Sequence, residues 1–194
     1  ASERSEGRTY GDIPWLLGGS VPEFARDLRV ERSVPGRAPQ LLFSALDAEA
    51  ATCYEHAFAA AGHIVVSNAR THRLAADVPL LIPEVNADHL ALLPAQQDGR
   101  RWTGALVTNP NCSTVFLAIV LAACRPFVPR RVLVTTFQAA SGAGHPGVPS
   151  WDLLGNVVPF IDGEEEKLET ETQKILGTHG ERGVTPAPIA ISAQ

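Results

Sequence analysis

The sequence predicts an α/β protein: part of a doubly wound parallel-sheet domain, followed by part of a second domain of mixed helices and strands. Three observations carry this. "QLLFSAL", "DAEAATCYEHAFAAAGH" and "IVVSNA" read as strand, helix and strand, the order of a βαβ unit with a parallel sheet. "NPNCST" opens an apolar helical run at Ser113–Ala123. Beyond it, the strand "RRVLVTTFQAA", a glycine-rich loop, an acidic helix and the strand "APIAISAQ" form a different pattern.

The opening "ASERSEGRTYGDIPW" is polar and has no hydrophobic period, so it reads as a loop. "LRVERSV" reads as a short strand and "QLLFSAL" as a buried one. The helix between the two strands of the βαβ unit has Asp47 as its N-cap and Gly62 as its stop. A domain boundary is expected at 110/111. The loop-like beginning and the apolar, uncapped final strand predict an internal piece of a longer protein.

The 194 residues carry 45% hydrophobic content and a net charge of −5, which argues against a phosphate-tracking nucleic-acid surface. The longest apolar stretch, Val115–Ala123, is far short of the roughly 20 residues of a membrane span. No signal peptide is visible. Cys53, Cys112 and Cys124 cannot all pair within one chain, which predicts a reducing, cytoplasmic setting. The six histidines show no HxxxH or HxH spacing and there is no CxxC, so no metal site is expected.

Asn109, Pro110 and Asn111 are turn formers that place Cys112 at the mouth of a helix, where the dipole and the free N–H groups of the first turn can stabilise a thiolate. Cys112 reads as a nucleophile or as a structural thiol, and Cys53 and Cys124 read as packing residues. "SGAG" at 141–144 offers unobstructed backbone N–H groups that suit a phosphate, a nicotinamide ring or only a tight turn. The run Glu164–Glu165–Glu166–Lys167 suits a solvated first helical turn, yet Glu164 and Lys167 share a face and could take an ammonium and an anion together. Arg73 reads as a surface arginine or as a ligand for phosphate or carboxylate.

"FSALD", "VVSNARTHRLAADVPLLIPEVN", "TNPNCST", "TTFQAASGAGHPGVPS" and "NVVPFIDGEEEKLETETQKILG", in this order after "ASERSEGRTYGD", resemble aspartate-semialdehyde dehydrogenase of the archaeal and fungal branch. The resemblance implies a Rossmann-type NADP-binding domain over 1–110 and a catalytic and dimerisation domain over 111–194, both partial. It implies NADP-dependent reduction of L-aspartyl 4-phosphate to the semialdehyde with release of phosphate, through a thioester on Cys112, in lysine, threonine and methionine biosynthesis. Gln138 would orient the acyl group, and Ser141 and Gly142 would touch the cofactor. Arg73 and Lys167 would bind phosphate, Asn111 would line the substrate site, and Glu164 would receive the substrate's amino group. Ser2, Arg4, Ser5 and Arg8 match the groups that hold the adenosine 2′-phosphate, while Ser44, Ala45 and Leu46 match the nucleotide cleft. A homodimer or homotetramer is implied, with no nucleic-acid or membrane partner.

Two parts of the family's pattern are expected outside this chain: a glycine-rich turn of GxTGxVG type ahead of Ala1, and a histidine base with a carboxylate-binding arginine beyond Gln194. Two other readings stay open, a malonyl-CoA reductase-like enzyme and a noncatalytic dimerisation or binding module.

Overall fold

A computed structural model describes residues 5–16, 18–144 and 147–194. It opens with irregular chain and a short helix, α1 (Glu23–Arg26), before the βαβ unit of β1 (Leu41–Ser44), α2 (Ala48–Ala60) and β2 (Ile64–Ser67). α3 (Pro83–Asn86) and α4 (Leu93–Arg100) then lead to β3 (Ala105–Thr108). The three strands form one parallel sheet in the order β1-β2-β3, with Leu41 aligned to Ile64 and Ile64 to Ala105. The segment at 79–81 runs beside β3, exchanging hydrogen bonds with Thr108.

The helix between β1 and β2 follows its sequence signals. Asp47 accepts the Ala50 N–H at 2.9 Å, and Gly62 adopts the left-handed φ of +96° at the other end. Ala51, Glu55, Phe58 and Ala59 make its buried face at helical spacing, and Phe58 and Ala59 pack with Val65, Val78 and Leu106 into one core. Cys53 lies off that face and is exposed, contrary to its reading as a packing residue. Gly104 is where the end of α2 meets the sheet: a Cβ there would sit 2.1 Å from the His63 carbonyl oxygen, so only glycine fits.

The second region consists of α5 (Cys112–Ala123), β4 (Arg131–Val134), α6 (Ser150–Leu153), α7 (Glu164–Ile175), the antiparallel hairpin β5 (Thr178–Gly180) and β6 (Gly183–Thr185), and β7 (Ala190–Ala193). β4 and β7 pair in parallel. Leu80 and Ile82 from the chain before α3 pack against Ala118 of α5 and Ile175 of α7, so the two regions share a core at this seam. Among the described residues no helix is long and apolar enough to cross a membrane.

Three expected strands are corrected. "LRVERSV" contributes only an isolated bridge between Arg29 and Thr9, since a strand needs a partner of its own length and the facing chain turns away into a 3-10 helix at Tyr10. "QLLFSAL" is not buried: it forms the edge strand β1, and Phe43 on its second face is 81% exposed while Leu42 joins the core. "RRVLVTTFQAA" shortens to the four residues of β4, the length over which β7 pairs with it.

Lys174 ties α7 to the chain that follows β2. Its buried ammonium donates to the carbonyls of Arg73, Ala75 and Val78 at 2.7, 2.7 and 2.8 Å. Burial pushes this group down from 10.5 to about 8, against the carboxylates of Asp77 and Glu171, which act the other way. Between about 8 and 10.5 the unfolded chain therefore binds more protons than the folded one. The resulting contribution to stability is complete above about 10.5 and is lost as pH falls through about 8. The expected outcome is that the urea-unfolding free energy of the native protein rises between pH 7.5 and 9.5 relative to that of a Lys174→Met variant; parallel profiles for the two proteins would contradict it.

Candidate active site

"NPNCST" becomes the N-terminus of α5. Asn111 is its N-cap: the side-chain oxygen accepts the N–H groups of Ser113 at 2.8 Å and Thr114 at 3.4 Å. Cys112 follows as the first helical residue and is exposed. This corrects one expectation, because two of the first-turn N–H groups that were to face the thiol are held by the cap instead. The dipole of a twelve-residue helix still points at Cys112.

Arg73, Asn111 and Cys112 line one cleft of about 570 Å³, together with Asn68, Leu81, Ile82, Pro83, Glu84, Asn109, Pro110 and Val115. Arg73 is not a surface arginine. It is buried, donates through Nη2 to the Asn68 carbonyl at 3.0 Å, and forms an ion pair through Nη1 with Glu171 at 3.0 Å.

Glu164 gathers the other candidates. Its Oε1 accepts from Ser113 Oγ and from Gln138 Nε2, both at 3.0 Å, and its Oε2 accepts from Asn111 Nδ2 at 3.1 Å. Lys167 lies one turn along α7, with Nζ 3.7 Å from Oε2. Gly163, in the left-handed region at φ +67°, starts this helix, and Glu164 is buried and not part of a solvated turn. Four neutral or cationic groups thus converge on one carboxylate beside the thiol-bearing turn.

The glycine-rich loop forms a 3-10 turn at Ala140–Ala143. Two of its N–H groups are used internally, Gly142 to Ala139 and Gly144 to Ser141. Ser141 and Gly142 are exposed, and a Cβ at Gly142 would come no nearer than 3.8 Å to Gln138 Oε1, so the turn sets bare backbone beside that side chain.

The remaining candidates lie apart from these contacts. Ser44 ends β1 and donates to Glu55 Oε1 at 2.6 Å, as does Ser67 at the end of β2. Ala45 and Leu46 are exposed in the loop after β1. Arg8 donates to the Asp12 carbonyl, and the Arg8 N–H to the Ser5 carbonyl at 3.3 Å. Ser2 and Arg4 lie outside the described residues. Among the described residues no group of three or more His, Cys, Asp or Glu could hold a metal ion.

Sequence reasoning missed Glu171, Lys174 and the capping role of Asn111. Glu164, Lys167, Glu171 and Lys174 fall at i, i+3, i+7 and i+10, the spacing of one helical face, and that period was the available signal.

The parallel sheet, with an exposed thiol at a helix N-terminus beside paired cations and carboxylates, defines the class of an α/β protein with a cysteine-lined cleft. The chain belongs to the semialdehyde dehydrogenase family: its model "Semialdehyde dehydrogenase, NAD binding domain" matches residues 1–93, and "Semialdehyde dehydrogenase, dimerisation domain" matches residues 121–193. The whole chain is 45% identical to the aspartate-semialdehyde dehydrogenase of Archaeoglobus fulgidus, covering 57% of it. It is 48% identical to that of Methanothermobacter thermautotrophicus, covering 56%. The fold superimposes on the aspartate-semialdehyde dehydrogenase of Candida albicans solved with NADP, with a TM-score of 0.86 at 36% identity over 100% of this chain and 57% of that one. The chain thus spans less than three fifths of the length of these relatives.

Replacing Asn111 by alanine removes the cap of α5 and the bond to Glu164 together. A loss of about 1–2 kcal/mol in urea-unfolding free energy is expected, and a change within about 0.3 kcal/mol would show that the cap is not what holds this turn.

Proposed function

We propose that this chain forms part of an NADP-dependent aspartate-semialdehyde dehydrogenase, divided at 110/111 into a nucleotide-binding part and a catalytic and dimerisation part. The observation that carries the reading is the shared cleft of Cys112 and Arg73, with Glu164, Gln138 and Lys167 joined to the same turn through Asn111 and Ser113. An acyl phosphate that also bears an ammonium group needs this mixture of nucleophile, cations and carboxylate.

In the proposed reaction the Cys112 thiolate attacks the acyl carbon of L-aspartyl 4-phosphate; the C–S bond forms as the C–O bond to phosphate breaks, leaving a thioester and inorganic phosphate. Arg73 and Lys167 hold the phosphate before and after it leaves. Gln138, fixed by its bond to Glu164, orients the acyl group. Glu164 is oriented by three neutral donors and by Lys167 at 3.7 Å; in this reading Lys167 turns to the phosphate and the carboxylate faces the substrate's ammonium.

The residues present fit a dinucleotide. Ser44, Ala45 and Leu46 lie at the carboxyl end of a parallel strand, the end at which open α/β sheets bind nucleotides. The bare turn at Ser141 and Gly142 adjoins Gln138. In this reading Ser5 and Arg8, with Ser2 and Arg4, hold the 2′-phosphate, and NADP supplies the hydride that reduces the thioester when bound. The three free cysteines fit a cytoplasmic setting, and the dimerisation-domain match supports a homo-oligomer, a dimer or tetramer.

The test is phosphate-dependent reduction of NADP by aspartate semialdehyde in the full-length protein. Cys112→Ser should lower kcat by about 10³-fold or more while the protein stays folded. Retention of most of the activity in that variant would exclude Cys112 as the nucleophile.

A further inference from the structure

We propose that Glu171 is a positioning residue for the thiol site, its carboxylate locking Arg73 to the turn that presents Cys112. Glu171 is only 2% exposed, and its two oxygens serve different parts of the cleft: Oε1 accepts from Arg73 Nη1 at 3.0 Å, and Oε2 accepts from the Asn111 main-chain N–H at 2.7 Å. Arg73 and Asn111 both line the cleft, Asn111 as the cap of the thiol's own turn.

A buried ion pair is a poor source of stability unless its geometry does something further. Here half of the carboxylate is directed at the amide of the residue before Cys112, which simple neutralisation of Arg73 does not require. Among the described residues Arg73 is otherwise thinly held: apart from Glu171, its guanidinium has the Asn68 carbonyl, and Nε has no hydrogen-bond partner. One turn further along α7, Lys174 holds the Arg73 carbonyl at 2.7 Å, so the same helix fixes both the backbone and the guanidinium of that residue.

The inference rests on the reading of this cleft as a phosphate site, and the experiment separates the two. A glutamine at 171 has one acceptor oxygen and one NH₂ group, so in either orientation it turns an N–H toward one of the two donors and breaks the link. In the full-length protein, alkylation of Cys112 by iodoacetamide is followed by mass mapping against rising inorganic phosphate, for the native protein, Glu171→Gln, Arg73→Gln and the double variant.

The expected result is that phosphate protects Cys112 in the native protein and that the protecting concentration rises about tenfold in Glu171→Gln. The double variant should match Arg73→Gln within about twofold, because the two residues act as one unit. Glu171→Asp keeps the charge but is one methylene too short to reach both partners, and it should shift protection in the same direction; it serves should the glutamine variant fail to fold. A merely electrostatic partner behaves in the opposite way, since deleting a negative charge tightens phosphate binding. Unchanged or tighter protection in Glu171→Gln, or effects that add in the double variant, would therefore overturn the assignment to Glu171. Absence of phosphate protection in the native protein would overturn the phosphate reading itself.

Discussion

A carboxylate and an ammonium one helical turn apart, Glu171 and Lys174, are buried where α7 meets the chain that follows β2. Charges taken out of water are tolerated only when each polar atom is matched. Lys174 meets that demand with three carbonyls from residues 73–78, and Glu171 with a guanidinium and an amide. Rotating α7 by one residue would leave all of these groups unpaired, so its angular setting is fixed by the matching and not by Leu168 and Ile175 alone. That setting places Glu164 and Lys167, on the same face and nearer the helix start, against Asn111, Ser113 and Gln138.

Asn111 is the second fixed point. Its side-chain oxygen closes the first turn of α5, its side-chain nitrogen meets Glu164 and its main-chain N–H meets Glu171. The residue before the thiol is thus held from three directions, while Cys112 itself remains exposed. A firmly held turn under an accessible thiol is the arrangement that the proposed chemistry at Cys112 would need.

Much of this was legible in the sequence. The βαβ unit follows from hydrophobic period and from Asp47 and Gly62, and the helix mouth at Cys112 follows from the turn formers before it. The roles proposed for Gln138, Ser141 and Glu164 come only from the family resemblance, since each residue alone suits a turn or a solvated face. Glu171 and Lys174 escaped because "ETETQK" has the composition of an exposed helix; their partners are main-chain groups and an arginine far along the chain, which a local pattern does not display. Strand lengths escaped for a related reason. A strand ends where its partner ends, as β4 does against β7, and pairing is not written in either segment alone.

Several contacts that hold the cleft span long stretches of sequence: Arg73 and Glu171 are 98 positions apart, and Lys174 reaches across 101 to the Arg73 carbonyl. Closing so long a span costs chain entropy before any contact is gained, whereas α2 and the β1–β2 pair close over short spans. Local units therefore precede the cleft on the way to the native state, and the thiol site assembles late, once α7 has docked. During synthesis, Cys112 leaves the ribosome well before the helix that will steady its turn, so for that interval it is a thiol without its frame.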